Sequence, residues 1–122
     1  MIAEHLLGII LAVQNTMRRA STYLGVTATY YSSKLEGKTM ANGQIYHEYS
    51  YVVAYNKLPI NTYVRITNPA NDRVEIAIVT DRKAKNGIDL SLSLYKALGL
   101  DVKKGSGKVI VQRLDDNGRE TN

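Results

Sequence analysis

From residue 2 to residue 17 apolar positions recur at helical spacing. Ile2, Leu6, Ile10, Val13 and Met17 share one stripe, while Glu4, His5, Asn15 and Arg18 lie mostly away from it. Glu4 near the start and Arg18-Arg19 near the end complement a helix dipole. Residues 1–24 are therefore expected to be an N-terminal amphipathic α-helix and its linker. Beyond them the period shortens. "GVTATYY" (25–31) and "YVVAY" (51–55) are rich in β-branched, aromatic or apolar residues, and "TYVRITN" (62–68) sets Val64 and Ile66 against Tyr63, Arg65 and Thr67. "VEIAIVTD" (74–81) begins by alternating and then turns apolar on both faces. Pro69 to Arg73 supplies turn residues between the last two runs and predicts a hairpin. Leu90, Leu94 and Leu98 then fall at helical spacing, with Asp89 or Ser91 able to cap the helix and Gly99 able to stop it. Asp89 is the cap this pattern favours. "GKVIVQRL" (107–114) reads as a closing strand, and residues 115–122 form a polar tail with no apolar content to pack. Short strands with one helix predict a mainly β domain over residues 25–114, a closed barrel with a helical insert. Periodicity leaves the strand order open.

Composition narrows the chemistry. A chain of 122 residues supports one domain with a real core. No Cys is present, which excludes a disulfide scaffold and thiolate metal sites. The two histidines, His5 and His47, are far apart, so no His-built metal centre or cofactor is expected. All nine aromatic residues are Tyr, rings that pack on one side and hydrogen-bond at the tip. The net charge of +5 is concentrated late: Lys or Arg occupies 82, 83, 85, 96, 103, 104, 108 and 113, against Asp89 and Asp101 alone. Such a face suits an anionic partner, whether nucleic acid, an acidic wall polymer or a lipid surface, and equally suits a solvated surface. With no helix-turn-helix or base-stacking pattern, nucleic acid is the least favoured of these. The apolar run Leu6 to Val13 is shorter than the roughly 20 residues a transmembrane helix needs. Its flanking charges are the reverse of a signal peptide's. The stripe is expected to meet the domain, a protein partner or second copy, or a membrane, with protein contact through residues 1–20 favoured.

The stretch "VTDRKAKNGIDLS" (79–91) poses the functional question, because a strand ends on Asp81 and a basic loop follows. Several segments carry a resemblance in order: "GVTATYY", "GKTMANGQIY" (37–46), "LPINTYVRITN" (58–68), "TDR" (80–82) and "IDLSLSLYKALGL" (88–100). Together they resemble the RlpA-like (rare lipoprotein A) family of double-psi β-barrels, related to expansin and barwin barrels. The resemblance covers about residues 25–114 and implies a six-stranded barrel with a shallow, glycan-facing groove. Some members of that family are lytic transglycosylases acting on peptidoglycan strands. In that chemistry one acid protonates the glycosidic oxygen and then takes back a proton as the sugar's own 6-hydroxyl closes an anhydro ring. The resemblance places Asp81 at the acid position.

It also shows departures. Gln44 stands where the family has Glu, His47 where it has Asp, Tyr55 where it has His, and Lys83-Ala84 where it has Gly-Pro. Gln44, Tyr55, His47, Tyr31 and Arg82 become the expected substrate-binding residues, Gln44 and Tyr55 as hydrogen-bond partners of substrate or of Asp81. A plainer role for Asp81 is to accept main-chain N–H groups at a barrel crossing. Two expectations follow. One is a wall-directed glycan-binding barrel of the cell envelope or exterior with at most weak lytic activity. The other is a non-catalytic component of a larger assembly, such as a virion or secretion machine, docked through its N-terminal helix.

Overall fold

The computed structural model describes residues 21–114, so the amphipathic helix expected within residues 1–20, the protein contact expected through it and the polar tail 115–122 lie outside the described residues. In chain order the elements are β1 (Thr22–Tyr30), a 3-10 turn (Ser33–Leu35), β2 (Val52–Tyr55), β3 (Tyr63–Asn68), β4 (Arg73–Asp81), β5 (Ile88–Leu90), the helix α1 (Leu92–Ala97) and β6 (Gly107–Arg113). The six strands close into a barrel in the order β1-β5-β2-β4-β3-β6. β1 with β5 and β2 with β4 run parallel, and the remaining neighbours run antiparallel. Closure leaves no free sheet edge.

Period-two burial explains the inside. Val64 and Ile66 of β3 are fully buried, while Tyr63, Arg65 and Thr67 between them face outward, as their alternation predicts. Ala28, Val53, Tyr55, Ala77, Val79, Ile88, Leu90, Val109 and Val111 line the interior, α1 adds Leu94 and Tyr95, and its C-cap residue adds Leu98. The β3–β4 hairpin turns where the Pro69 to Arg73 stretch predicts. Asp72 takes a positive φ of 61° and donates its N–H to the Asn68 carbonyl at 2.8 Å. The Asn68 side chain donates onward to the Leu98 carbonyl at 2.8 Å, tying the end of α1 to the sheet.

Two local expectations need correction. β1 starts at Thr22, ahead of the "GVTATYY" pattern, because the β1–β6 register shifts between Tyr23 and Val26. Gly25, at φ 61°, sits in that irregularity and breaks the alternation a sequence pattern relies on. Leu90 does not open the helix, and Asp89 is not its cap. Ile88–Leu90 is the strand β5, Ser91 is the N-cap residue, and α1 begins at Leu92. A three-residue strand is too short to announce a period, and its two buried ends, Ile88 and Leu90, blend into the leucine spacing of the helix.

Candidate functional site

A second, smaller apolar cluster lies outside the barrel wall: Tyr31, Met40, Tyr46, Val52 and Ala54, with Ile78 against it. The segment between β1 and β2 covers it. Asp81 reaches this layer through an irregularity in the β2–β4 ladder. Val53 pairs with Val79, but the next residue, Ala54, pairs with Asp81, so β4 carries one extra residue there. Strict alternation from the inward Val79 would turn Asp81 into the barrel core; the bulge delivers it to the outer face instead.

Three donors meet the carboxylate. Tyr31 donates its hydroxyl to Oδ2 at 2.8 Å, while the backbone N–H groups of Ala41 and Arg82 donate to Oδ1 at 3.0 and 2.9 Å. The Ala41 donor comes from a tight turn in which the Gly43 N–H bonds the Met40 carbonyl at 2.9 Å and the Met40 N–H bonds the Gln44 carbonyl at 2.8 Å. Gly43 adopts φ 89°, which the turn requires and a side chain would resist. The Gln44 side chain is exposed and accepts from the Asn42 amide at 2.9 Å; that amide also reaches the Asn61 side chain at 3.3 Å. Gln44 thus belongs to the loop that caps Asp81 and presents its amide beside that cap.

The other expected site residues scatter. Arg82 contributes its backbone N–H to Asp81, but its guanidinium donates to the carbonyls of Tyr55 at 2.5 Å and Leu58 at 2.6 Å, pinning the end of β2. His47 lies 3.2 Å from the Glu36 carboxylate through Nδ1 and stacks on Tyr49. Tyr55 is buried in the main core, where it meets the Tyr23 ring edge-on at a centroid distance of 5.7 Å. It lines a cleft of about 460 Å³ with Thr22, Tyr23, Val26, Lys57 and Asn86. The lining of that cleft contains no carboxylate or histidine.

Asp89 is the residue that sequence reasoning missed. Ala54 pairs with Asp81 on one side and with Asp89 on the other, so both acids flank one small residue on one face. The Lys83 ammonium binds Asp89 Oδ1 at 3.0 Å, and the Thr29 hydroxyl donates to the same oxygen. Asn56 clamps the Lys83 backbone in both directions, at 2.6 and 2.9 Å, so this loop keeps a fixed path without Gly-Pro. The available signal was the alternation Ile88-Asp89-Leu90, apolar on either side of an acid.

Tyr31 stacks on Tyr46 at 4.3 Å with the planes 11° apart. Burial first, then the hydrogen bond to Asp81 and the charges of Asp81 and Asp89, hold the Tyr31 phenol protonated far beyond its ordinary range, so it stays a donor. Burial also raises Tyr46, opposed by the nearby Leu92 N–H and reinforced by Glu48 and Glu36. That N–H is close enough to matter electrostatically, although the buried Tyr46 hydroxyl makes no hydrogen bond of good geometry. Tyr55 is pushed up to about 12 by burial and by Tyr23, and Tyr95 is raised by burial, then by Tyr30 and Asp101.

A pH dependence follows. Unfolded tyrosines lose their proton near 10. The buried ones lose it later, so above pH 10 the unfolded state binds fewer protons than the folded one. The stability these groups supply is complete below pH 10 and declines as pH rises above it, for Tyr55 through about 12, by up to about 1.4 kcal/mol per pH unit for each. Urea unfolding followed across this range should show the midpoint falling above pH 10, with tyrosinate absorbance from the buried rings appearing together with loss of β-structure. Buried-ring absorbance growing while the fold persists would contradict it.

No cluster of three His, Asp or Glu able to hold a metal occurs among the described residues. Among those residues no helix is long and apolar enough to cross a membrane.

Comparison with known proteins gives a consistent picture. No protein-family model matches the chain. The endolytic peptidoglycan transglycosylase RlpA of Pasteurella multocida is 39% identical over 112 residues, which is 85% of this chain and 37% of that protein. The protein ssl3177 of Synechocystis is 36% identical over 88 residues, 72% of this chain and 96% of that one. Among solved structures, cerato-platanin 3 from M. perniciosa superposes with a TM-score of 0.60 at 15% identity, covering 77% of this chain and 97% of that one. At that identity the likeness concerns the fold alone. The chain spans about a third of the length of the RlpA proteins it matches, 37% for the Pasteurella protein and 31% for that of Haemophilus influenzae.

Proposed function

Because the chain belongs to the RlpA-like family of double-psi β-barrels, we propose that it is a peptidoglycan-directed barrel that binds glycan on the Asp81 face and retains at most weak lytic transglycosylase activity. The observation that carries this reading is the donor set around Asp81. A general acid must arrive carrying its proton. Oδ1 accepts two backbone N–H groups. Oδ2 accepts the Tyr31 hydroxyl, so all three contacts meet this side chain as an acceptor. The side chain thus serves to fix the covering turn and Tyr31 to the end of β4.

Its acid–base company is thin as well. Gln44 bears an amide that cannot exchange a proton, and Asp89 is engaged by Lys83 and Thr29. What remains is well suited to recognition: a rigid turn, exposed amides at Gln44 and Asn61 with half-buried Asn42 between them, and tyrosine rings. The test incubates the protein with stem-free peptidoglycan strands, measuring co-sedimentation and released fragments together. The expected result is binding with few or no anhydro-ended products. Rapid, complete conversion to such products would overturn the weak-activity reading, and absence of binding would overturn the glycan assignment.

A further inference from the structure

Tyr49 is the most exposed aromatic ring among the described residues, at 71%. A single exposed ring means little alone, but this one is held. It stacks on His47 with centroids 5.1 Å apart and planes 13° apart, and His47 is anchored 3.2 Å from Glu36. The Glu36 carboxylate in turn accepts from the backbone N–H groups of Gly37 at 3.0 Å and Glu48 at 3.3 Å, fixing the segment that carries both rings. Beside Tyr49 lies a shallow hollow of about 200 Å³ lined by Glu48, Tyr49, Leu92, Ser93 and Lys96. Its two walls are tied together, since Ser93 donates its N–H to the Glu48 carbonyl at 3.0 Å and its hydroxyl to the Ser50 carbonyl at 3.3 Å.

We infer that the Tyr49 ring and this hollow form a sugar-stacking subsite for one pyranose of a glycan strand, continuing the Asp81 face. The inference rests on the glycan reading proposed above. The chemistry selects a sugar: a flat ring meets the C–H face of a pyranose, while a carboxylate and an ammonium in the same hollow take hydroxyl or acetamido groups. An apolar peptide anchor would leave both charges desolvated and unpaired. Because ring and walls are already ordered, little conformational freedom remains to be lost on binding. One covering segment links the two places, since Asp81 holds the Tyr31 hydroxyl, Tyr31 stacks on Tyr46, and Tyr46 immediately precedes His47.

The experiment measures co-sedimentation of the full chain with stem-free peptidoglycan glycan strands, alongside thermal melting. Tyr49→Ala is expected to weaken binding about tenfold with unchanged melting, while Tyr49→Phe, which keeps the ring, binds like the parent. Equal binding by Tyr49→Ala and the parent overturns the subsite and leaves the glycan reading standing. Equal weakening in Ala and Phe variants, or an Ala variant that binds less only because it melts earlier, also overturns it. A parent chain that fails to sediment sinks both readings together.

Discussion

Asp81→Asn is expected to abolish any anhydro-ended product while leaving the barrel folded, whereas Asp81→Ala should lose both chemistry and stability. An asparagine can turn its carbonyl oxygen toward the Ala41 and Arg82 N–H groups and its amide N–H toward Tyr31, whose hydroxyl rotates to accept. The three contacts that Asp81 makes survive in changed form, with only their charge assistance gone. That loss should cost about 1–2 kcal/mol. Alanine instead leaves two backbone donors and a buried hydroxyl without a partner, and it removes the link between the covering segment and β4. The expected cost is about 2–4 kcal/mol. Urea unfolding of both variants, run beside the product assay, separates the two roles of one carboxylate. An asparagine variant that still released anhydro-ended fragments would show that the acid lies elsewhere. An alanine variant as stable as the parent would show that the donor set does not hold the loop.

Gly87→Ala should be among the most damaging single-methyl additions to this chain. Gly87 has φ 103°, and a Cβ built there would lie 2.6 Å from the Thr27 carbonyl oxygen, which belongs to the backbone of β1. Backbone cannot swing aside like a side-chain end. Either β1 moves away from β5, or the loop carrying Lys83 lifts and the Lys83–Asp89 pair opens. With the cost of the left-handed conformation added, the expected destabilisation is about 3–4 kcal/mol. Gly43→Ala is the matched comparison. Its φ of 89° is also left-handed, but its Cβ would meet nothing within 4 Å, so only the conformational penalty applies, about 1–2 kcal/mol. Melting temperatures of the two variants should therefore differ clearly. Equal losses would mean that Gly87 has room the close approach to Thr27 denies it.

Both expectations depend on relations between distant segments, and these are what the sequence carries least well. Asp81 is visible as an acid ending an apolar strand. The direction in which its side chain points is not, because that depends on an extra residue opposite Ala54, and a bulge leaves no mark in an alternation already blurred by "AIVT". Gln44 and Tyr55 both depart from the resembled pattern, and on paper either could hydrogen-bond substrate or Asp81. In the fold the Tyr55 ring turns into the main core and Gln44 stays on the loop that caps Asp81. Asp89 reads naturally as a helix cap, since acids often precede helices. Only the closure of the barrel reveals that three residues at 88–90 complete a strand and bring Asp89 to the other flank of Ala54.

The sequence by itself determined the mainly β domain, the β3–β4 hairpin, the alternating inner face of β3 and the kinship of the barrel. These rest on local period, turn chemistry and the order of short motifs, all written along one dimension. Tertiary structure alone decided which carboxylate meets which donor, which tyrosines are buried, and which acids share a face. A hydrogen bond such as that from Tyr31 to Asp81 spans 50 positions of chain. Its partners are chosen by strand register and by one bulge, not by any property of the residues between them.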